Sequence, residues 1–337
     1  MGGERRLDLD RARGFAIVLV VFGHLMGRGR PEGMDWYEAA FVGLYTFHMP
    51  FFLYLAGVTA QLAGIVELPA ARWPGLIRRR ARRLLLPFVL MGVLIVAGKY
   101  LSQPLLHVDA APSGLLQGLC DAFWHTANSP VIMIWFLWVL FFLTLGALPL
   151  LCLPRAAGAW RAAPVLAVGL GLFLTGLPEV MYLNKLADHA VFFALGLIAG
   201  LLGARATAAI DRAWPVALVV LLALSGATAL GLIDRRWALL AAGLPAIPAL
   251  HGLVRRLDRG EVGRALLFLG RFSMVIYLFN TIAIGLTKAV LLKLGLAWTA
   301  EGATLAVPLL LAAGIAGPVL LKRLILRHLP ALDRLTD

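Results

Sequence analysis

The sequence predicts an all-α, polytopic integral membrane protein: a single helical bundle of about ten transmembrane helices. Three observations predict it. Of the 337 residues, 61% are hydrophobic and only 15% charged, with a mean hydropathy of +0.87, whereas soluble domains are about 25% charged. Apolar runs long enough to cross a bilayer recur near 14–29, 40–64, 84–101, 131–152, 163–178, 188–203, 214–232, 236–254, 265–291 and 303–326. Finally, basic residues alternate between rich and poor connections. Arg5, Arg6, Arg11 and Arg13, then Arg72 to Arg83, Arg155 and Arg161, Arg205 and Arg212, Arg255 to Arg264, and Lys322 to Arg334 fall on one side; Arg28, Arg30, Lys99, Lys185, Arg235, Arg236, Lys288 and Lys293 are the fewer on the other. Cytoplasmic connections carry the basic excess, so both termini are predicted to be cytoplasmic. This accounts for most of the net charge of +13 and implies membrane lipid, not nucleic acid, as the partner of that charge.

The first run, LDLDRARGFAIVLVVFGHL over 7–25, organises the chain. Arg13 and His24 are eleven residues apart, a step that returns to within about 20° of the same helix face and climbs about 16 Å. The arginine then sits at a membrane surface and the histidine inside the hydrocarbon, where an ionisable group marks a functional-site candidate. Read singly, Arg13 is first an interfacial anchor and orientation signal, and His24 is as well read as an interior histidine bonded to a neighbour.

The second run carries His48 inside YTFHMPFFLYLAG, with Pro50 expected to loosen the helix just after it and free backbone carbonyls. The third is entered through RRRARRLLLP over 78–87. Such a basic run anchors to anionic lipid, but Arg80 and Arg83 are also i and i+3 on one helix face, a clamp suited to a nucleotide phosphate. The connection over 102–130 contains no lysine or arginine and holds His107, Asp109, Asp121 and His125, as befits an outside loop. Cys120 and Cys152 lie on opposite sides of the fourth run, too far apart to bridge, and no metal-ligand spacing is present. The fifth and sixth runs are short, and only Asp234, Arg235 and Arg236 divide the seventh from the eighth. No cleavable signal, myristoylation site (Met1-Gly2 is followed by Arg6 where Ser or Thr is needed) or appended soluble domain is expected.

Taken together these segments resemble the acyltransferase 3 family of multi-pass membrane O-acyltransferases, which includes bacterial enzymes that O-acetylate surface sugars. Arg13 and His24 match its R-x10-H signature, Arg80 to Pro87 its arginine pair ahead of leucine and proline, and Phe47 to Phe52 its FHMPxFF segment; Trp135-Phe136-Leu137, Val191 to Gly196 and Ser273 to Leu278 are weaker echoes. The resemblance is strongest over 7–280. Two positions depart from it: Asn280 stands where many relatives have histidine, and Ala56 where serine is common.

The resemblance implies transfer of an acyl group, acetyl above all, from cytoplasmic acyl-CoA to a hydroxyl of a surface polysaccharide, glycolipid or lipid-linked sugar at the plasma (bacterial inner) membrane. In that scheme Arg13, Arg80 and Arg83 hold the CoA phosphates, His24 removes the acceptor proton and His48 orients the acceptor or His24. A carboxylate to orient His24 is not identifiable: Asp8 and Asp10 lie on one side and Glu179 and Asp188 on the other. The rival classes are a transporter or flippase that relays protons through intramembrane histidines, and a catalytically degenerate relative.

Overall fold

The computed structural model describes residues 6–27, 29–105, 108–153 and 158–336; Met1, Gly2, Arg5, Arg28, His107 and Arg155, named above, lie outside them. Among the described residues nine helical segments are long and apolar enough to cross a membrane: Asp35–Leu62, Ala70–Ser102, Ile132–Cys152, Gly158–Thr175, Leu183–Leu202, Ala204–Ala229, Arg235–Arg256, Ser273–Lys293 and Ala300–His328. A further long helix, α1 (Leu7–Met26), carries Asp8, Asp10, Arg11 and Arg13 in its first two turns. With α1 included, the helices correspond one for one to the ten apolar runs.

In chain order the helices are α2 (Asp35–Tyr45), α3 (His48–Leu62), α4 (Trp73–Arg80), α5 (Leu86–Ser102), α6 (Leu115–Phe123), α7 (Trp135–Cys152), α8 (Ala163–Thr175), α9 (Leu183–Leu202), α10 (Ala204–Ala229), α11 (Arg235–Arg256), α12 (Gly260–Arg271), α13 (Ser273–Lys293) and α14 (Ala300–Leu324). Polar contacts sort the connections into two faces. Arg6, Asp8, Asp211 and Arg255 meet on one, joined there by the contact of Arg161 with Val66. Opposite, Glu32 pairs with Thr299, Arg236 with Asp188, and Met181 with Trp124. Between the faces, α5 and α10 turn Leu86, Val89, Leu90, Val93 and Leu94, and Val216, Val219 and Leu222, outward. Rows of exposed aliphatic side chains are what lipid covers.

Small residues let helix backbones touch where the core is tightest. Gly57 on α3 and Gly196 on α9 face each other so closely that a β-carbon on either would strike a carbonyl of the other helix, Phe193 or Tyr54. Gly14 on α1 and Gly270 on α12 do the same with Leu266 and Asp10. This second crossing corrects the run over 265–291: its first residues belong to α12, which packs on the first half of α1, and the spanning helix begins at Ser273.

The second run also breaks differently from expectation. The interruption falls at Thr46 and Phe47, ahead of Pro50, which sits in the first turn of α3 where its missing N–H leaves no helical bond unmade. The third span starts well before residue 84, and between α4 and α5 the backbone forms a π-helical turn over Ala81–Leu85, a feature that recurs at functional sites.

Candidate active site

His24 is buried, and its Nδ1 lies 2.7 Å from Oδ1 of Asn280 on α13. The amide fixes the direction of that bond. Asn280 Nδ2 donates to the carbonyls of Ile276 (2.7 Å) and Tyr277 (2.9 Å), so its oxygen faces the ring and His24 donates from Nδ1. In the neutral imidazole the lone pair is then on Nε2. The carboxylates considered from sequence have other partners: Asp8 is held by Arg6 and Arg255, Asp188 by Arg236, and Glu179 by Asn184.

His48 is brought to the same level. Its Nδ1 donates to the Leu44 carbonyl at 2.9 Å, a backbone acceptor that the break between α2 and α3 leaves within reach. Its Nε2 faces Gly23, the residue before His24: a β-carbon there would lie 3.7 Å away. Tyr45 packs edge-on to the ring at 4.6 Å. Although His24 is only two residues from the end of α1, His48 stands near the middle of Asp35–Leu62, so the pair lies deep in the bundle.

A third histidine joins this region without a sequence signal of its own. His189 on α9 donates from Nδ1 to the Lys185 carbonyl at 2.8 Å, packs against Trp135 at 4.8 Å, and is within electrostatic reach of His48. Tyr277 stands 6.4 Å from the His24 ring and 5.7 Å from Phe136, centroid to centroid. Each of the three imidazoles thus commits Nδ1–H to a fixed oxygen.

The arginines are not gathered into one cluster. Arg13 bonds Asp10 Oδ1 at 3.2 Å and Thr59 Oγ1 at 2.6 Å, which ties α1 to α3. Arg80 is half-buried and Arg83 exposed; among the described residues neither has a hydrogen bond or ion pair, and Arg79 and Arg83 crowd Arg80 electrostatically. The wider i→i+5 turn that starts at Ala81 carries Arg83 round from the position an α-helix would give it. A separate polar cavity of about 640 Å³ opens on the same face between α1, α10 and α11, lined by Arg6, Asp8, Thr207, Asp211 and Arg255.

The sequence model of the acyltransferase 3 family, described as an acyltransferase domain, matches residues 6–323. The chain belongs to this family. It is also similar to two curated proteins called nodulation protein NolL. That of Mesorhizobium japonicum is 30% identical over 140 residues, covering 41% of this chain and 34% of the relative; that of Sinorhizobium fredii is 30% identical over 137 residues, covering 40% and 34%. The match therefore spans about a third of the length of these relatives. No solved structure matches.

Proposed function

We propose that this protein is a membrane O-acyltransferase that moves an acyl group, in the simplest case acetyl, from cytoplasmic acyl-CoA to a hydroxyl of a surface polysaccharide, glycolipid or lipid-linked sugar. The observation that carries this reading is the His24–Asn280 pair: a buried imidazole whose Nδ1–H is held by an amide oxygen and whose Nε2 has the lone pair of a general base. An amide suits this role because it fixes ring and tautomer without titrating.

The acceptor hydroxyl oxygen attacks the thioester carbonyl carbon while His24 Nε2 takes its proton. The tetrahedral intermediate collapses with cleavage of the C–S bond, and the leaving thiolate recovers the proton from the imidazolium. Arg80 and Arg83, without protein counter-ions among the described residues, hold the CoA phosphates together with Arg13. His48, on the other side of Gly23, orients the acceptor.

The test is transfer of radiolabelled acetyl from acetyl-CoA to the glycan fraction by membranes containing the wild type, His24→Gln or His24→Ala. The wild type should transfer, and both variants should lose about 10²- to 10⁴-fold at normal membrane levels, since glutamine keeps a donor and an acceptor but no titratable nitrogen. Near-normal transfer by His24→Gln removes the base assignment and moves it to His48. A wild type that transfers nothing to any glycan overturns the functional reading.

A further inference from the structure

Among the described residues Tyr100 is exposed, four of the other five tyrosines put their hydroxyl on an acceptor, and one does not. Tyr37 donates to the Leu25 carbonyl, Tyr45 to that of Gly23 and Tyr182 to that of Ala122, while Tyr54 pairs with His251 Nδ1. Tyr277 is as buried as these, at 4% exposure, yet its hydroxyl makes no hydrogen bond of normal geometry among the described residues. A phenylalanine would fill the same space without burying an O–H that has no acceptor, so the hydroxyl costs stability where it stands. Such a group is explained by something it meets during function.

Its position indicates what that is. Tyr277 precedes Asn280 by three residues on α13, so the two side chains share a helix face, and Asn280 Nδ2 donates to the Tyr277 carbonyl, fixing the local geometry. The ring lies 6.4 Å from that of His24. The phenol oxygen faces the Phe136 backbone N–H in the first turn of α7, where the helix dipole adds positive potential; an N–H can only donate to that oxygen, so the O–H itself has no acceptor. A neutral phenol in a dry, low-dielectric setting is an effective donor to developing negative charge, because it is already oriented when the charge appears.

We propose that the Tyr277 hydroxyl donates a hydrogen bond to the acyl carbonyl oxygen as it becomes an oxyanion, an assignment that rests on the acyl-transfer reading above. As the acceptor oxygen bonds to the carbonyl carbon and His24 takes the proton, the C=O π pair moves onto the carbonyl oxygen, and the O–H of Tyr277 stabilises that charge. When the C–S bond breaks, the pair returns to re-form C=O and the phenol keeps its proton. Base and oxyanion donor then come from two helices held together by the His24–Asn280 bond.

The experiment compares wild type, His24→Gln and Tyr277→Phe in the acetyl-transfer assay, with kcat, the KM for acetyl-CoA and the thermal midpoint in detergent read for each. Tyr277→Phe should lower kcat about 10²- to 10³-fold, leave KM within about twofold and melt at or above the wild-type temperature, since a stranded hydroxyl has been removed. Unchanged kcat overturns the assignment. So does a fall in kcat together with a lower melting temperature or poor membrane recovery, which would show that the hydroxyl serves the fold. If the wild type transfers and Tyr277→Phe matches it, the oxyanion assignment alone fails; if the wild type transfers nothing, both readings fail.

Discussion

At the scale of single residues, the three arginines picked out by sequence differ in how much of their charge is already engaged. Arg13 has a carboxylate and a hydroxyl as partners, Asp10 and Thr59; Arg80 and Arg83 have neither, and they stand beside further positive charge. Changing Arg80 and Arg83 together to glutamine should therefore weaken the donor most. A charge-assisted contact to a phosphate contributes about 1.5 to 3 kcal/mol, so losing two should raise the acyl-CoA requirement about a hundredfold or more while membrane levels stay normal. An unchanged donor titration would return the pair to lipid anchoring. Lysine should rescue poorly, because an ammonium does not make the two-pronged contact of a guanidinium. His24 and His48 were legible in the sequence because an ionisable residue in an apolar run is conspicuous. Asn280 was visible only as a departure from a family pattern, since its meaning lies in a partner 256 positions away. Tyr277 and His189 were harder still: each is an ordinary residue in an apolar helix until the fold sets it near His24 or His48.

At the scale of elements, the site depends on helices meeting at unusually short range. The α3–α9 crossing brings the span that carries His48 against the one that carries His189, and Gly57 and Gly196 allow the approach. In a membrane such packing takes the place of much of the hydrophobic drive available in water. Valine at Gly57 would strike the Phe193 carbonyl, part of a backbone that has no flexible end to move aside. The helices must separate, at a cost of about 1 to 3 kcal/mol or more. The thermal midpoint in detergent should fall for Gly57→Val and fall less for Gly57→Ala, with transfer activity declining alongside. A midpoint unmoved by valine would mean that the two helices do not touch there. Apolar periodicity shows that both segments are helices but not which pairs touch, so this contact was not legible in the sequence. The same blindness explains why the run over 265–291 read as one span: α12 and the start of α13 are both apolar, and only the Gly14–Gly270 crossing reveals that α12 lies against α1.

At the scale of the whole molecule, the functional reading requires the donor and acceptor to arrive from opposite faces, which fixes an orientation that can be tested independently of any activity. The basic excess predicts that Arg78, Arg79, Arg80, Arg82 and Arg83 and both chain ends are cytoplasmic and that the connection over 102–130 is outside. The fold sharpens the choice of reporters. Ser129, an obvious polar position in that loop, is buried against the Tyr182 hydroxyl at 2.8 Å and is unsuitable; Ser113 is exposed on the same face. Arg259, with a side chain 97% exposed in the connection between α11 and α12, reports the other face. In a background with Cys120 and Cys152 replaced by serine, since both native thiols are exposed, Ser113→Cys on intact cells should react with a membrane-impermeant maleimide. Arg259→Cys should react only after permeabilisation. The reverse pattern would put Arg80 and Arg83 on the side where acyl-CoA is absent, and the donor assignment would fail even if the protein proved able to transfer acetyl groups in detergent.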